Sequence, residues 1–424
     1  LGTIWAGGVA VGLNSRLFER ELTVVLSESG ARFIWCNESS RALLERLLAN
    51  IADPPQLVIE AEWSEHLVAA AAAPAAELPE EATAMWIYTS GTTGAPKAVM
   101  HAQRSVIAGA DFARDILGLG AQDRIYASSK LFFAYALGNS LCAGLRLGAT
   151  VVLDDEWPTA ERVAEVVERH RPTALFSVPT LYLKMLRAGV AARLRAAGVR
   201  HYVSAGEALP AAVRREWREA TGVAPVSGYG ATETVALMFY SDDDSALLKP
   251  CPRLEYRMRE GNDGAAPRRL WLRHPSVALG YWQRPEAERD SFADGCFSPG
   301  DLFRRRDDGS VAYCGRDDDM LKISGQWVSI LDVEQALLAA SAGCVEGLAA
   351  VGFENAEGLV SIALFVVAAE GHETQAREHL DAGIAALPKL KRPRLVKWVS
   401  ELPLTATGKL QRGKLKQQYL GGAA

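Results

Sequence analysis

Over residues 1–60, helix-like and strand-like patterns alternate, as where ELTVVLSESG (Glu21–Gly30) is followed by ARFIWCN (Ala31–Asn37). That is the cadence of βαβ units around a parallel sheet. From Ala69 to Ala84 the chain is rich in Ala, Pro and Glu without periodicity, predicting a surface connection that ends in the apolar strand MWIYTS. Between about 100 and 240, apolar runs such as TVVL, ALFSV and RHYVSAGE alternate with helical stretches such as ERVAEVVERH, which extends the α/β pattern. From about 245 to 316 the texture changes to short strands broken by Gly, Pro and Asp (RRLWLRHPSVALGYW, GSVAYCGR), predicting a small β-rich subdomain. Beyond 317, the segments LAAVGF and VSIALFVVAA lie among helical stretches and predict a compact α+β domain.

The expectation is therefore an α/β protein with a large N-terminal domain of layered sheets over residues 1–316 and a small C-terminal domain over 317–424. Composition adds limits. With 424 residues, 49% of them hydrophobic and 23% charged, the chain can bury a sizeable core. The net charge of −5 is modest and Lys and Arg are scattered, so neither a nucleic-acid partner nor a membrane-surface patch is expected. No run of about 18 apolar residues predicts a spanning helix, and no basic leader predicts secretion. Six widely separated cysteines suit neither zinc nor a redox pair and read as free thiols in a reducing cytoplasm. The opening LGTIWAGGVAVGLN reads as the inside of a helix-to-strand unit, so an N-terminal segment is expected to be missing.

The strongest chemical signal is YTSGTTGAPKAVMH, Tyr88–His101, in which a strand runs into a loop dense in Gly, Ser and Thr that closes on Lys97. Glycines let backbone amides converge on phosphate oxygens, hydroxyls add neutral donors, and a lysine supplies positive charge. Thr89, Ser90, Gly91, Thr92, Thr93, Gly94 and Lys97 are the candidate phosphate-binding residues. Their spacing does not fit the Walker-type GxxxxGK[ST] loop. GYGATET (Gly228–Thr234) offers an aromatic face between glycines, a hydroxyl and one carboxylate suited to Mg²⁺. Read alone, it is equally an ordinary Gly-rich turn.

In its motifs and their order, the chain resembles the adenylate-forming superfamily of acyl- and aryl-CoA ligases, peptide-synthetase adenylation domains and luciferases. Besides the two motifs above, the resemblance is carried by SAGEALP (Ser204–Pro210), SPGDLF (Ser298–Phe303), GRDDDMLKISGQWVS (Gly315–Ser329) and LPLTATGKLQR (Leu402–Arg412). It covers essentially the whole chain and implies ATP, Mg²⁺ and coenzyme A as cofactors. It also implies that the C-terminal domain is mobile.

By resemblance, the backbone at Gly206, Glu207 and Ala208 borders adenine, Gly228, Tyr229 and Gly230 flank it, Thr232 contacts phosphate, and Glu233 helps hold Mg²⁺. Asp301 accepts the ribose hydroxyls with Arg316 nearby, a task suited to an acceptor-only carboxylate. Asp318 is the hinge, Gly325 and Trp327 line a pantetheine channel, and Lys409 carries adenylation. An ammonium touching both carboxylate and α-phosphate would stabilise the charge that gathers between them. Read without the family, Arg316 and the Asp317–Asp319 run are a solvated loop and Lys409 a surface charge.

KLFFAYALGNS (Lys130–Ser140) with VSAGEALP looks most like the benzoate-CoA ligase branch, where Phe133, Ala134 and Tyr135, with Ser204 and Ala205, would wall a flat aromatic pocket. The benzoate branch places Ser at Ala231 and a histidine after this motif, where TVALMFY stands here, so a substituted benzoate or another small acid is an alternative. The expected reaction is activation of such an acid to acyl-AMP, followed by transfer to coenzyme A. Loading of a carrier protein in trans is the runner-up, and an inactive nucleotide-binding member is a third reading. A homodimer is among the partners considered.

Overall fold

The helix Ala160–His170 shows how this sequence builds its largest layer. Thr159 caps it by accepting a hydrogen bond from the Arg162 amide, and Arg171 ends it in a left-handed conformation. Its apolar positions Val163, Ala164, Val166 and Val167 recur on one face and are fully or almost fully buried. They pack with Leu175, Tyr202, Met185 and Trp217 in the largest core cluster, each buried valine contributing roughly 1.5–3 kcal/mol.

The computed structural model describes residues 1–90, 96–245, 247–258, 267–324, 326–355, 358–404 and 410–420. They form two compact units, residues 1–255 with 272–297, and residues 256–271 with 298–424. Among the described residues, no helix is long and apolar enough to cross a membrane.

In the first unit, a seven-stranded sheet runs in the order Lys249–Pro250, Leu237–Ser241, Val226–Gly230, His201–Ser204, Ala174–Ser177, Arg124–Ala127 and Thr150–Val152. The last five are mutually parallel, and the first two are antiparallel additions. Ligands of such sheets bind beyond the carboxyl ends of the parallel strands, which here lead into Ala205–Ala208 and into the GYGATE turn. A four-stranded sheet has the order Ala10–Gly12, Thr83–Ser90, Pro96–Ala102 and Gly280–Tyr281. Thr83–Ser90 and Pro96–Ala102 form an antiparallel hairpin whose register, Ser90 opposite Pro96 and Thr89 opposite Lys97, sets the two ends of the glycine-rich connection side by side. Phe33–Cys36 and Gln56–Ile59 pair in parallel, the βαβ arrangement expected near the start of the chain. Residues 70–79 carry no regular structure, in line with the connection predicted there.

The second unit holds two hairpins, Asp301–Arg305 with Val311–Arg316 and Met320–Ile323 with Gln326–Ser329. Beside them, Val345–Glu354 pairs antiparallel with Val360–Ala368, which is joined in parallel by Leu395–Trp398. Helices Ile330–Ala340 and Glu373–Ala386 bury Val333, Leu337, Ala376 and Leu380 in a core with Ile362, Leu364 and Val366 from that sheet. Leu415 of helix Arg412–Leu420 packs into a separate cluster with Val351 and Phe365.

Candidate active site

The first-unit site grows from the hairpin that carries the glycine-rich motif. Lys97 follows Pro96 on the returning strand, and its Nζ sits 4.1 Å from the centroid of the Tyr281 ring. The same tyrosine donates its hydroxyl to Glu233 Oε1 at 2.6 Å. Both Tyr281 and Glu233 are buried. One ring therefore joins the motif's lysine to the carboxylate of GYGATET, two groups that the sequence presents far apart. The Gly91–Gly94 part of the motif and the Ser90 side chain lie outside the described residues.

Glu233 is held by the turn that contains it. Residues Thr232–Thr234 form a single 3₁₀ turn, with the Thr234 hydroxyl receiving the Ala231 amide at 3.0 Å and Val235 following at φ +50. The Glu233 carbonyl accepts from the Ala278 amide at 2.8 Å. His101 secures the preceding residue, since its Nε2 lies 2.9 Å from the Thr232 carbonyl oxygen. A carbonyl can only accept, so Nε2 carries the proton. Burial pushes the His101 pKa down to about 4, and the ring therefore remains a neutral donor at ordinary pH. Tyr229 is half-buried, its ring centroid 6.2 Å from that of Phe239. Gly230 is required by close approach, because a Cβ there would stand 2.7 Å from the Ala236 carbonyl oxygen.

Gly206, Glu207 and Ala208 are exposed just beyond the strand His201–Ser204, and Glu207 accepts a hydrogen bond from the Thr180 hydroxyl at 3.1 Å. Pro210 stands at the N-cap of helix Ala211–Thr221. Its ψ of 137 keeps it extended and outside the helix.

The five residues expected to wall an aromatic pocket occupy distinct settings. Ala134 is buried with Met85, Ile87 and Val235. The Phe133 ring lies against Phe132, with centroids 4.6 Å apart. Tyr135 donates its hydroxyl to the carbonyls of Ser177 at 3.2 Å and Val203 at 3.1 Å, so its polar end is committed to the sheet. Burial holds that hydroxyl's pKa well above the ordinary tyrosine range. Ala205 is buried, and Ser204 is buried with an Oγ that has no hydrogen-bond partner. Gly138, in the π-helical turn Leu137–Cys142, fixes how closely this wall meets the Glu233 turn, since a Cβ there would lie 1.9 Å from the Val235 carbonyl oxygen.

The second unit contributes a separate set of groups. Asp301 is buried and pairs in register with Arg316 across their hairpin. Tyr313 donates to Asp301 Oδ1 at a long 3.5 Å. Asp317 receives both Nε and Nη2 of Arg269 at 2.9 and 2.5 Å. Trp327 is exposed, with Lys322 Nζ 5.9 Å from its ring centroid. Gly325, Lys409 and the Asp318 side chain lie outside the described residues. On either side of residues 405–409, Leu404 and Leu410 form an isolated bridge and the Gln411 amide donates to the Pro403 carbonyl at 2.8 Å. Arg412 then binds Glu334 through two bonds of 2.7 and 3.0 Å and approaches Asp319 at 3.1 Å. Burial pushes the Glu334 pKa up against the opposing pull of Arg412.

Reading motifs by spacing assigned no role to three of these residues. Tyr281 lies in VALGYW, which reads only as β-rich texture. His101 closes the first motif but looks like a strand end. Arg412 closes the last, and only the fold reveals its partners, Glu334 and Asp319.

The match to known proteins is extensive. Residues 1–282 match the family model described as AMP-binding enzyme. The chain is 39% identical to the 3-hydroxybenzoate–CoA ligase of Aromatoleum sp. (strain CIB), an alignment that covers 100% of this chain and 84% of that protein. Among solved structures, a benzoate CoA ligase from Burkholderia xenovorans LB400 superposes with a TM-score of 0.85 at 32% identity, covering 98% of this chain and 85% of the other. The anthranilate CoA ligase AuaEII in complex with anthranoyl-AMP gives a TM-score of 0.86 at 29% identity over 98% of this chain and 84% of that one.

Proposed function

The chain belongs to the family of AMP-binding enzymes, and from that membership we infer that it is an acid–thiol ligase acting on benzoate or a substituted benzoate. It uses ATP to activate the acid as aryl-AMP with release of pyrophosphate, then passes the aryl group to coenzyme A. The observation that carries this reading is the 39% identity, over the whole of this chain, with a 3-hydroxybenzoate–CoA ligase.

The residues support it chemically. In the first step, a carboxylate oxygen of the acid bonds to the α-phosphorus as the bond to the β-phosphate bridge breaks. Lys97 and the Gly91–Gly94 loop bind the phosphates, with Thr89, Ser90, Thr92 and Thr93 as hydroxyl donors. Lys409 stabilises the charge that gathers between carboxylate and phosphate. Tyr229 and residues 206–208 border the adenine, while Asp301 and Arg316 take the ribose.

Magnesium fits Glu233. This cation is ordinarily held by one or two carboxylates together with substrate phosphates, and the Glu233 carboxylate that would hold it is buried and oriented by the Tyr281 hydroxyl. When bound, Mg²⁺ neutralises charge on the departing pyrophosphate. The committed hydroxyl of Tyr135 leaves only its ring for an aromatic substrate, which suits an apolar aryl group. In the second step, the thiol sulfur bonds to the carbonyl carbon and AMP departs with the electron pair. A thiol of ordinary pKa near 8.5 is ionised enough to need no dedicated base.

We assign the functional division to residue 317, with Asp318 as hinge and Gly325 and Trp327 along the pantetheine path. A cytoplasmic location and a homodimer belong to the same proposal. The test is incubation with ATP, Mg²⁺, coenzyme A and a panel of benzoates, with chromatography of the products. Aryl-CoA from benzoate or a hydroxybenzoate is expected. Aryl-AMP accumulating without thioester would transfer the second step to a carrier protein, and no product from any aryl acid would contradict the reading.

A further inference from the structure

The roles given to Lys97 and Glu233 leave unexplained why one buried tyrosine touches both. We propose that Tyr281 is a positioning residue that sets the two charged sides of the nucleotide site before ATP arrives, its ring face holding the Lys97 ammonium and its hydroxyl holding the Glu233 carboxylate. The inference rests on assigning Lys97 to phosphate and Glu233 to the metal side.

Tyr281 is built to stay where it is. Its backbone pairs with Val99, two residues past Lys97 on the same strand, so the ring and the lysine share one rigid ladder. The next residue, Trp282, donates its amide to Ala98 at 3.0 Å and its indole N–H to the Glu28 carbonyl at 3.1 Å. The Trp282 ring lies 4.8 Å from that of Trp86. Arg284 adds an ion pair in which its Nη2 donates to both oxygens of the Glu28 carboxylate, at 2.8 and 2.6 Å. The Tyr281 ring itself meets Phe292 edge-on at 5.2 Å and is 3% exposed.

A ring locked in this way offers two contacts that differ in kind. The π face attracts a cation, while the hydroxyl gives Glu233 a charge-assisted bond that fixes one of its oxygens. The two can be removed separately. Tyr281→Phe deletes the hydroxyl and keeps the ring. Tyr281→Leu deletes both.

The test is calorimetric affinity for ATP with and without Mg²⁺, together with the thermal unfolding midpoint of each variant. For Tyr281→Phe, the gain in ATP affinity produced by Mg²⁺ should shrink about tenfold, as expected for losing one hydrogen bond to a charged group. Its metal-free affinity should be unchanged and its unfolding midpoint close to that of the parent. Tyr281→Leu should also weaken metal-free ATP binding by about threefold, through loss of the ring–ammonium contact. A full Mg²⁺ increment in Tyr281→Phe would overturn the proposal, as would a loss confined to thermal stability. Failure of the parent protein to bind ATP at all would overturn the functional reading as well. A parent that binds ATP normally, beside an unaffected Tyr281→Phe, would overturn the role of Tyr281 alone.

Discussion

In the first unit, the charged groups of the candidate site have neutral groups among their contacts. Lys97 rests on a ring, Glu233 takes a tyrosine hydroxyl, and the turn that carries Glu233 is tied down by a neutral histidine. In the second unit, the segment following Lys409 is held by ions. Arg412 bridges Glu334 and Asp319, three side chains between 13% and 23% exposed. A neutral contact orients a charged group without cancelling its charge. An ion pair consumes the charges it joins and is better suited to anchoring a segment than to presenting it. The difference matches the roles proposed above, a preset phosphate site on one side and an anchored carrier of one lysine on the other.

The largest expected effect that sharpens this contrast is at Lys409. Lys409→Ala should lower aryl-AMP formation by about 10³-fold, the upper range for removing one preorganised charge. Thiolysis of preformed aryl-AMP should be preserved, and rapid-quench assays of the two half-reactions would check this. Equal loss in both would remove Lys409 from its assigned step. Next in size is Arg412→Ala. Stranding Glu334 should cost about 2–3 kcal/mol in urea unfolding, less than the value for a fully enclosed pair because Arg412 is 23% exposed. An unchanged urea midpoint would mean that the pair anchors nothing.

The neutral side of the comparison can be tested by pH. His101 has its folded pKa lowered by burial to about 4, below its ordinary value of 6.5. The stability it contributes is therefore fully present above pH 6.5 and is lost as pH falls towards 4, because only the unfolded chain takes up the proton there. Between pH 6.5 and 5 the loss should approach about 2 kcal/mol for one such group. His101→Gln should flatten part of that slope in denaturation midpoints measured across the range. His274, whose pKa burial also lowers to about 4, would account for a remaining slope. The smallest effect is that of salt. Raising ionic strength should weaken the partly exposed Arg412 pairs by a few tenths of a kcal/mol and leave the Tyr281–Glu233 bond unaffected. Comparing Arg412→Ala and Tyr281→Phe with the parent at low and high salt would show it.

Much of the fold was legible in the sequence because strand and helix periods follow directly from which faces must be buried. Val163, Ala164, Val166 and Val167 announce both a helix and its buried side. The motifs were recognisable as an ordered set through their resemblance to a known family, whereas GYGATET read alone is equally an ordinary Gly-rich turn. Tyr281 was not legible, since it meets Lys97 and Glu233 only through sheet pairing with Val99, a relation that no local spacing encodes. His101 was visible as a residue but not as a clamp. Its neutrality depends on burial, and its partner Thr232 belongs to a distant motif. Pro210 shows the limit at element boundaries, where one residue's ψ decides whether a proline opens a helix or precedes it.

The central claim is that this chain adenylates an aromatic acid. Its most direct test is exchange of labelled pyrophosphate into ATP in the absence of coenzyme A, with benzoate, hydroxybenzoates, aliphatic acids and amino acids offered one at a time. The account predicts exchange that depends on an aryl acid and vanishes in Lys409→Ala. Exchange driven only by aliphatic or amino acids, or none from folded protein with any aryl acid, would contradict it.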